Sequence, residues 1–379
     1  MVPGDAKSFF LSVSLLIKSF LLFILPVIVF SFVFYSFSRL GGHIFGFTSL
    51  LLVLVCLSNF TAVMFSYGVG MGIQDWISTG NGTSPQNIQE LKPLFDLTFP
   101  KICDPTVGLV GGFVLGVYAN LRRGVLLKKL AKDLSQVMNW FLQHFFIPIL
   151  PLFILGFMLK MQHEKTLYTV LGSFAPLLVS IVTVHIFYLV SGYWVFHGCH
   201  LKKTIAGIKN IMPAALIGFS TMSSAAAMPV LTTGAAKNTR DPKLAQSIVP
   251  SVVNSHMLGD ALAIPLMAFF LCLLHFQGMP AWGVYLKFAL GYTLAKFAAS
   301  GVPGGTILVI IPVLESYLGF TPEMSGIILM MYMLFDPFCT LGNVLGNGLL
   351  PMVFEKAWNR LRRSPPAHGG PEETPPEVH

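Results

Sequence analysis

Long apolar runs separated by short polar or basic segments fill most of the chain. Runs at about 11–38, 45–73, 93–121, 136–160, 165–198, 242–275 and 323–355 predict helical spans. Each is long enough to cross a hydrocarbon core, which takes about 20 apolar residues in a helix. The runs are continuous rather than alternating at every second residue, so a transmembrane β-barrel is excluded. Two further segments, at about 204–236 and 283–318, are apolar but broken near their middles by small residues and proline. The breaks read STMSSAAAMPV (Ser220 to Val230) and AKFAASGVPGGT (Ala295 to Thr306). Each predicts a re-entrant hairpin. The fold class expected is therefore an all-α polytopic membrane protein with about seven transmembrane helices and two re-entrant helical hairpins.

Each broken segment is followed by a longer apolar helix with polar residues in mid-span: NSHMLGDALA (Asn254 to Ala263) and MLFDPFCTLGNVLGNG (Met333 to Gly348). Interrupted hydrophobic segments at corresponding places in two halves are a pointer to a secondary-transporter binding site. Residues up to about 200 carry few ionisable groups in mid-span, as a scaffold would, whereas His256, Asp260, Lys296 and Asp336 lie beyond. Ionisable groups at membrane depth are costly, face a protein interior or cavity, and mark function by default.

Composition narrows the class further. With 54% hydrophobic and 11% charged residues and a mean hydropathy of +0.72, too few charges exist to cover a soluble core. The net charge of +8 does not point to nucleic acid, because the basic residues cluster between helices. They group as Arg122, Arg123, Lys128, Lys129 and Lys132; Lys202, Lys203 and Lys209; Lys237, Arg240 and Lys243; and Lys356, Arg360, Arg362 and Arg363. Lys- and Arg-rich loops stay on the cytoplasmic side, which places these segments and the C-terminus inside and the polar 74–92 loop outside. A plasma membrane, or bacterial inner membrane, is the expected location. The five cysteines are scattered and carry no redox inference. His197, Cys199 and His200 at a helix end read as an interfacial polar cluster before a metal site. No HExxH, GxSxG, P-loop or cofactor motif is present, so no enzyme and no cofactor are expected. The tail Ser364 to His379 is Pro-rich and polar, as disordered segments are.

Three ordered motifs between about residues 5 and 356 resemble the dicarboxylate/amino acid:cation symporter family, the glutamate-transporter fold. They are the Ser-rich tip Ser223-Ser224-Ala225-Ala226-Ala227-Met228-Pro229-Val230, the tip Gly301-Val302-Pro303-Gly304, and the helix series Asp336, Thr340, Asn343 and Gly346. The resemblance implies a homotrimer in which each protomer moves a transport domain past a fixed scaffold, elevator-fashion, with the hairpins as gates. Residues 1–200 would then be mainly scaffold and trimerisation helices, with 45–73 and 165–198 joining the transport domain. The core of that domain would be 201–358, and 359–379 a disordered cytoplasmic tail. In the family pattern Asp336 holds the substrate ammonium, a charge-assisted hydrogen bond. Asn343, Thr340 and the amides near Ser224 hold its α-carboxylate, with Ser223, Val302, Gly304, Cys339 and Asp260 lining the site. The competing readings are a structural helix pair for Asp336 and small-residue packing for Ser223 and Ser224.

Departures from the family pattern shape the functional expectation. Cys339 and Met222 stand where acidic-substrate members carry an arginine, and Asp260 stands where a threonine faces the substrate side chain. A neutral amino acid, or a cationic one, is therefore the expected substrate. The cation-coupling positions are also altered: Ser58, Asn59, His256, Met257, Lys296 and Asn347 occupy them, with Leu258 replacing a sodium-site aspartate. Hard cations need several oxygen ligands, so sodium coupling is expected to be weak or absent, with H⁺ as the other candidate ion. Lys296 would act as a tethered cation paired with Asp260 or Asp336, or else snorkel to the headgroups. His256 would titrate, or sit as a hydrogen-bonded interior imidazole. The first run matches the second span of the family, so the first helix is expected to be missing and the N-terminus to lie outside. The alternatives are a Na⁺-coupled dicarboxylate or acidic amino-acid symporter, a transport-inactive receptor-like member, and an anion channel, for which no filter sequence is seen.

Overall fold

Proline and glycine set several of the element boundaries. The computed structural model describes residues 3–38, 45–78, 91–100, 103, 105–122, 124–164, 167–276, 278, 280–299 and 304–363. These contain thirteen α-helices: α1 (Gly4–Ser38), α2 (Phe45–Ser78), α3 (Pro105–Leu121), α4 (Val125–Phe141), α5 (Ile147–His163), α6 (Leu167–Phe196), α7 (Leu201–Thr221), α8 (Ser224–Ala236), α9 (Pro242–Val252), α10 (Leu258–Phe276), α11 (Trp282–Ala295), α12 (Gly305–Leu318) and α13 (Pro322–Arg363). A π-helical turn (Leu142–Phe146) joins α4 to α5, and a 3₁₀ turn (Lys296–Ala298) follows α11. Among the described residues no strand occurs.

Among the described residues, four helical stretches are long and apolar enough to cross a membrane: Gly46–Gln74, Pro176–Phe196, Leu258–His275 and Pro322–Leu361. They differ in surroundings. The last two are 83% and 72% buried inside the protein, against 28% for each of the first two. Helices α10 and α13 are therefore the interior pair, and their polar residues face protein.

Packing follows from small residues. Helix α1 lies against α3, α4 and α5. Gly108, Gly112 and Gly116, spaced four apart on α3, touch α1 directly; a Cβ at Gly112 would come within 2.7 Å of the Phe30 carbonyl oxygen. Such small-xxx-small faces let helix backbones meet in a bilayer, where there is no hydrophobic drive between helices. Helix α10 sits between α2 and α13, and α13 also carries α6, α7, α8 and α9. Helices α7 and α8 form the first hairpin, turning at Met222, which is left-handed with φ 51°. Ser223 caps α8 by accepting from Ala226 N at 3.2 Å. Helices α11 and α12 form the second hairpin, entered through Gly304 in the left-handed region (φ 71°) and closed by Gly319 (φ 67°).

Three boundaries depart from the sequence expectation. The span at 93–121 is helical only from Pro105, with residues 91–100 non-helical. Proline suits the first helical position and pushes the residue before it out of the helical region. The span at 136–160 begins earlier, at Val125, because α4 is amphipathic: its lysines mask a helix with Ala131 and Ser135 buried. The span at 242–275 is two helices, α9 and α10, with Val253–Met257 unwound between them. That break is stabilised from outside, by Asn59 Nδ2 donating to the Ser255 carbonyl at 2.8 Å.

The α10–α13 contact is closest at Gly259, where an added Cβ would run into the Cys339 carbonyl oxygen and lie 2.8 Å from Asn343 N. Gly283 on α11 has nothing within 4 Å. Gly259→Ala should therefore destabilise the fold by about 3 kcal/mol, as overpacking does. Gly283→Ala should be neutral or stabilising, since alanine is the better helix former by about 1 kcal/mol. Thermal unfolding of the detergent-purified variants checks both, and equal melting temperatures would refute the close approach.

Candidate functional site

The polar side chains of α13 recur at spacings of four, three and four: Asp336, Thr340, Asn343 and Asn347. That spacing puts them on one helix stripe, and all four are buried. The stripe meets the start of α10, the unwound segment before it, and both hairpins.

At its centre is an ion pair. Lys296 Nζ lies 2.9 Å from Asp260 Oδ2, and both side chains are fully buried. The other carboxylate oxygen, Oδ1, accepts from Tyr332 OH at 3.1 Å. Asp260 N donates to Asn343 Oδ1 at 3.1 Å, and Tyr292 OH donates to the Asp260 carbonyl at 2.8 Å. The ammonium also reaches Met257 Sδ at 3.6 Å and lies 5.5 Å from the Tyr292 ring centre. Thr306 Oγ1 donates to the same sulfur at 3.3 Å. Taking two charges out of water costs several kcal/mol each unless geometry and hydrogen bonds compensate. Here both carboxylate oxygens are engaged, which is what makes a buried pair tolerable. Lys296 thus pairs with Asp260 and does not snorkel to a headgroup.

Asp336 lies beside that pair, with Tyr332 next to both carboxylates. Its Oδ2 accepts from Gly304 N at 3.1 Å and its Oδ1 from Thr340 Oγ1 at 3.1 Å. An ionised carboxylate offers about four acceptor positions, and these two bonds leave room for a further donor. Gly304 is the residue just past the second hairpin's tip, so that hairpin touches the stripe at Asp336. The first hairpin touches it one turn on: a Cβ at Gly218 would lie 3.3 Å from Thr340 Cγ2, and the Phe219 and Phe338 rings stand 5.2 Å apart. The two hairpins therefore converge on α13 around Asp336 and Thr340. Ser224 and Cys339 are buried beside this region, while the Ser223 hydroxyl is used as the α8 cap. Val302 lies outside the described residues.

The altered cation positions form a second cluster. His256 Nδ1 is 3.1 Å from Asn347 Oδ1 and its Nε2 is 2.9 Å from Ser58 Oγ. With Nδ1 donating to the amide oxygen and Nε2 accepting from the hydroxyl, a neutral imidazole is fully satisfied. Asn59 and Asn347 each keep one buried polar atom unpaired, Asn59 Oδ1 and Asn347 Nδ2. The cluster thus offers one unspent oxygen beside an N–H donor and holds no carboxylate. A hard cation wants several oxygens, and these residues do not supply a full set. Among the described residues no group of three or more His, Cys, Asp or Glu could hold a metal ion.

Four participants were missed in the sequence: Tyr292, Tyr332, Thr306 and His185. Tyr332 and Tyr292 each precede a charged site residue by four, which is the available signal. His185 is buried in α6, with its ring nitrogens 2.6 Å from the Ile181 carbonyl oxygen and 3.0 Å from that of Gly259. An ionisable residue in mid-span was the cue for it.

Comparison with known proteins agrees with this architecture. The model of the sodium:dicarboxylate symporter family matches residues 1–357. Among individual proteins, Excitatory amino acid transporter 5 of Mus musculus is 26% identical over 204 residues, covering 52% of this chain and 34% of that protein. Excitatory amino acid transporter 5 of Homo sapiens is 25% identical over 197 residues, with the same coverage of 52% and 34%. The aligned part is thus about a third of the length of these curated relatives.

Replacing Lys296 by methionine leaves the Asp260 carboxylate buried and unpaired. The expected loss is about 3–5 kcal/mol. Lys296→Met combined with Asp260→Leu removes both charges and should recover most of it, a coupling read from a double-mutant cycle on thermal unfolding. Additive effects of the two changes would mean that the pair does not exist in the folded protein.

Proposed function

The chain belongs to the sodium:dicarboxylate symporter family, and from that premise we propose that it is a secondary transporter of neutral amino acids. It works by an elevator mechanism with weak or absent sodium drive. The observation that carries this reading is the buried Lys296–Asp260 pair. The Lys296 ammonium beside the stripe is held by a carboxylate of the protein, so it is not offered to a substrate's side-chain carboxylate. Cys339 and Met222 supply no charge either. A zwitterionic substrate with an uncharged side chain matches what remains.

In this binding mode Asp336 receives the ammonium at the acceptor positions that Gly304 N and Thr340 Oγ1 leave open. Asp260 N fixes Asn343 through its Oδ1, which turns the amide nitrogen towards the α-carboxylate. The start of α8, whose first residue Ser224 is buried, adds backbone amides, since helix N-termini favour anions. The substrate ammonium shares a carboxylate already bonded to the second hairpin, so occupancy and gate position are linked. Helices α1, α3, α4 and α5 pack together and form the scaffold side of a homotrimer, while α13 with both hairpins forms the moving side. Lys296 does the neutralising that a bound sodium ion would otherwise do, and the neutral His256 cluster lacks the oxygens to replace it.

Reconstituted protein should take up labelled neutral amino acids at a rate that changes less than about twofold when Na⁺ is replaced by choline. Asp336→Asn should lower that uptake at least tenfold, the size expected for a lost charge-assisted hydrogen bond of about 1.5–3 kcal/mol. A strict Na⁺ requirement, or glutamate and aspartate outcompeting neutral amino acids, would overturn the reading.

A further inference from the structure

A second feature lies away from the interior stripe, where α6 ends, α7 begins and α13 runs out. A cavity of about 590 Å³ opens there, lined by His197, His200, Lys203, Arg240, Lys356 and Arg360, with Glu355 and Asn238 among the remaining wall residues. Four side chains that are cationic at neutral pH and two histidines therefore face one acid. That acid is already committed: Glu355 Oε1 accepts from the backbone amides of Arg240 and Asp241, each at 3.0 Å. It braces the loop before α9 with its carboxylate.

One further feature adds to the positive field. Helix α7 starts at this cavity, its N-cap His200 makes no side-chain cap, and His200 and Lys203 of its first turn are wall residues. An uncapped start of a 21-residue helix presents free amides and the positive end of the helix dipole. Beside it, partial burial together with the Lys356 and Lys203 charges holds His197 below its usual range. Lys356 Nζ lies 3.5 Å from the Val195 carbonyl oxygen and 5.1 Å from the Phe196 ring centre.

We propose that this cavity is a binding site for a phosphate-bearing ligand, distinct from the interior amino-acid site. The guanidinium of Arg240 offers the planar fork that suits phosphate oxygens, and Lys203 with Lys356 supplies point charges. The helix amides complete the anion cradle. The shared chemistry is a phosphate group, which comes either from a soluble phosphate compound or from an anionic lipid headgroup. Helix ends with clustered basic residues lie at headgroup depth, where both are present. Because its walls come from α6, α7, the loop following α8 and α13, a bound phosphate ties the base of the first hairpin to the end of the long site helix.

The test uses the full chain and two probes. In neutral detergent, inorganic phosphate is titrated at constant ionic strength against chloride, reading thermal unfolding. In nanodiscs, phosphatidylcholine alone is compared with phosphatidylcholine containing phosphatidylglycerol, reading unfolding and lipid retention by native mass spectrometry. Lys203 and Arg240 are exposed, so Lys203→Gln/Arg240→Gln should keep the unliganded melting temperature. The variant should bind about thirty-fold more weakly, for two basic contacts, whereas Lys128→Gln/Lys129→Gln on α4 should match the parent within twofold. Protection by phosphate in detergent assigns a soluble ligand, and protection only by phosphatidylglycerol assigns a headgroup. Absence of protection in both arms overturns the proposal. So does equal protection of the parent and the Lys203/Arg240 variant.

Discussion

The bond between Lys296 and Asp260 is the constraint on which the rest of the interior depends. Two opposite charges with no exposed surface are tolerable only if each is surrounded by compensating groups. Those groups come from four elements: Met257 before α10, Tyr292 on α11, Thr306 on α12 and Tyr332 with Asn343 on α13. The pair therefore fixes the tip-side end of α11 against the two interior helices. Beyond the tip, Gly304 is held to α13 through its amide bond to Asp336.

The close approach of α10 to α13 serves the same end. Gly259 lets the Cys339 carbonyl oxygen sit against α10, and Gly342 makes room for both Gly259 Cα and the His185 ring. Without those two glycines the helices would stand further apart, and Asp260 N could not reach Asn343. Packing and polar chemistry are thus one problem here. In an interior this dense, a displaced helix breaks several hydrogen bonds together.

Much of this was legible in the sequence. The long apolar runs, the two interrupted segments and the stripe Asp336, Thr340, Asn343, Asn347 follow from hydropathy, from glycine and proline, and from helical periodicity. The break at Val253–Met257 was not, because the run is apolar on both sides and the hydrogen bond that stabilises it comes from Asn59, nearly two hundred residues away. Helix α4 was hidden for the opposite reason, since its lysines made a helix look like a loop. Tyr292 and Tyr332 counted as apolar in the runs that contain them, although their hydroxyls are what anchor Asp260. For Lys296, sequence left two outcomes open, and only its surroundings separate an interior ion pair from a snorkelling chain.

Substituting a tethered ammonium for a diffusible cation has an energetic consequence under the proposed function. A sodium ion that binds and leaves with the substrate brings its electrochemical gradient with it, at about 2.3 kcal/mol per charge for each 100 mV. Lys296 neutralises Asp260 just as well, but it stays bound to the chain and completes every cycle with the protein. The neutralised site is preformed, so no free energy is spent assembling it from a dilute ion. The gradient of that ion is then no longer coupled to the substrate at this position. Whatever concentrating power remains must come from another ion or from the exchange of one amino acid for another. His256, with both ring nitrogens bonded, and the single unspent oxygen of Asn59 offer little purchase to a second sodium ion. On these residues exchange is the mode that needs the fewest additional groups.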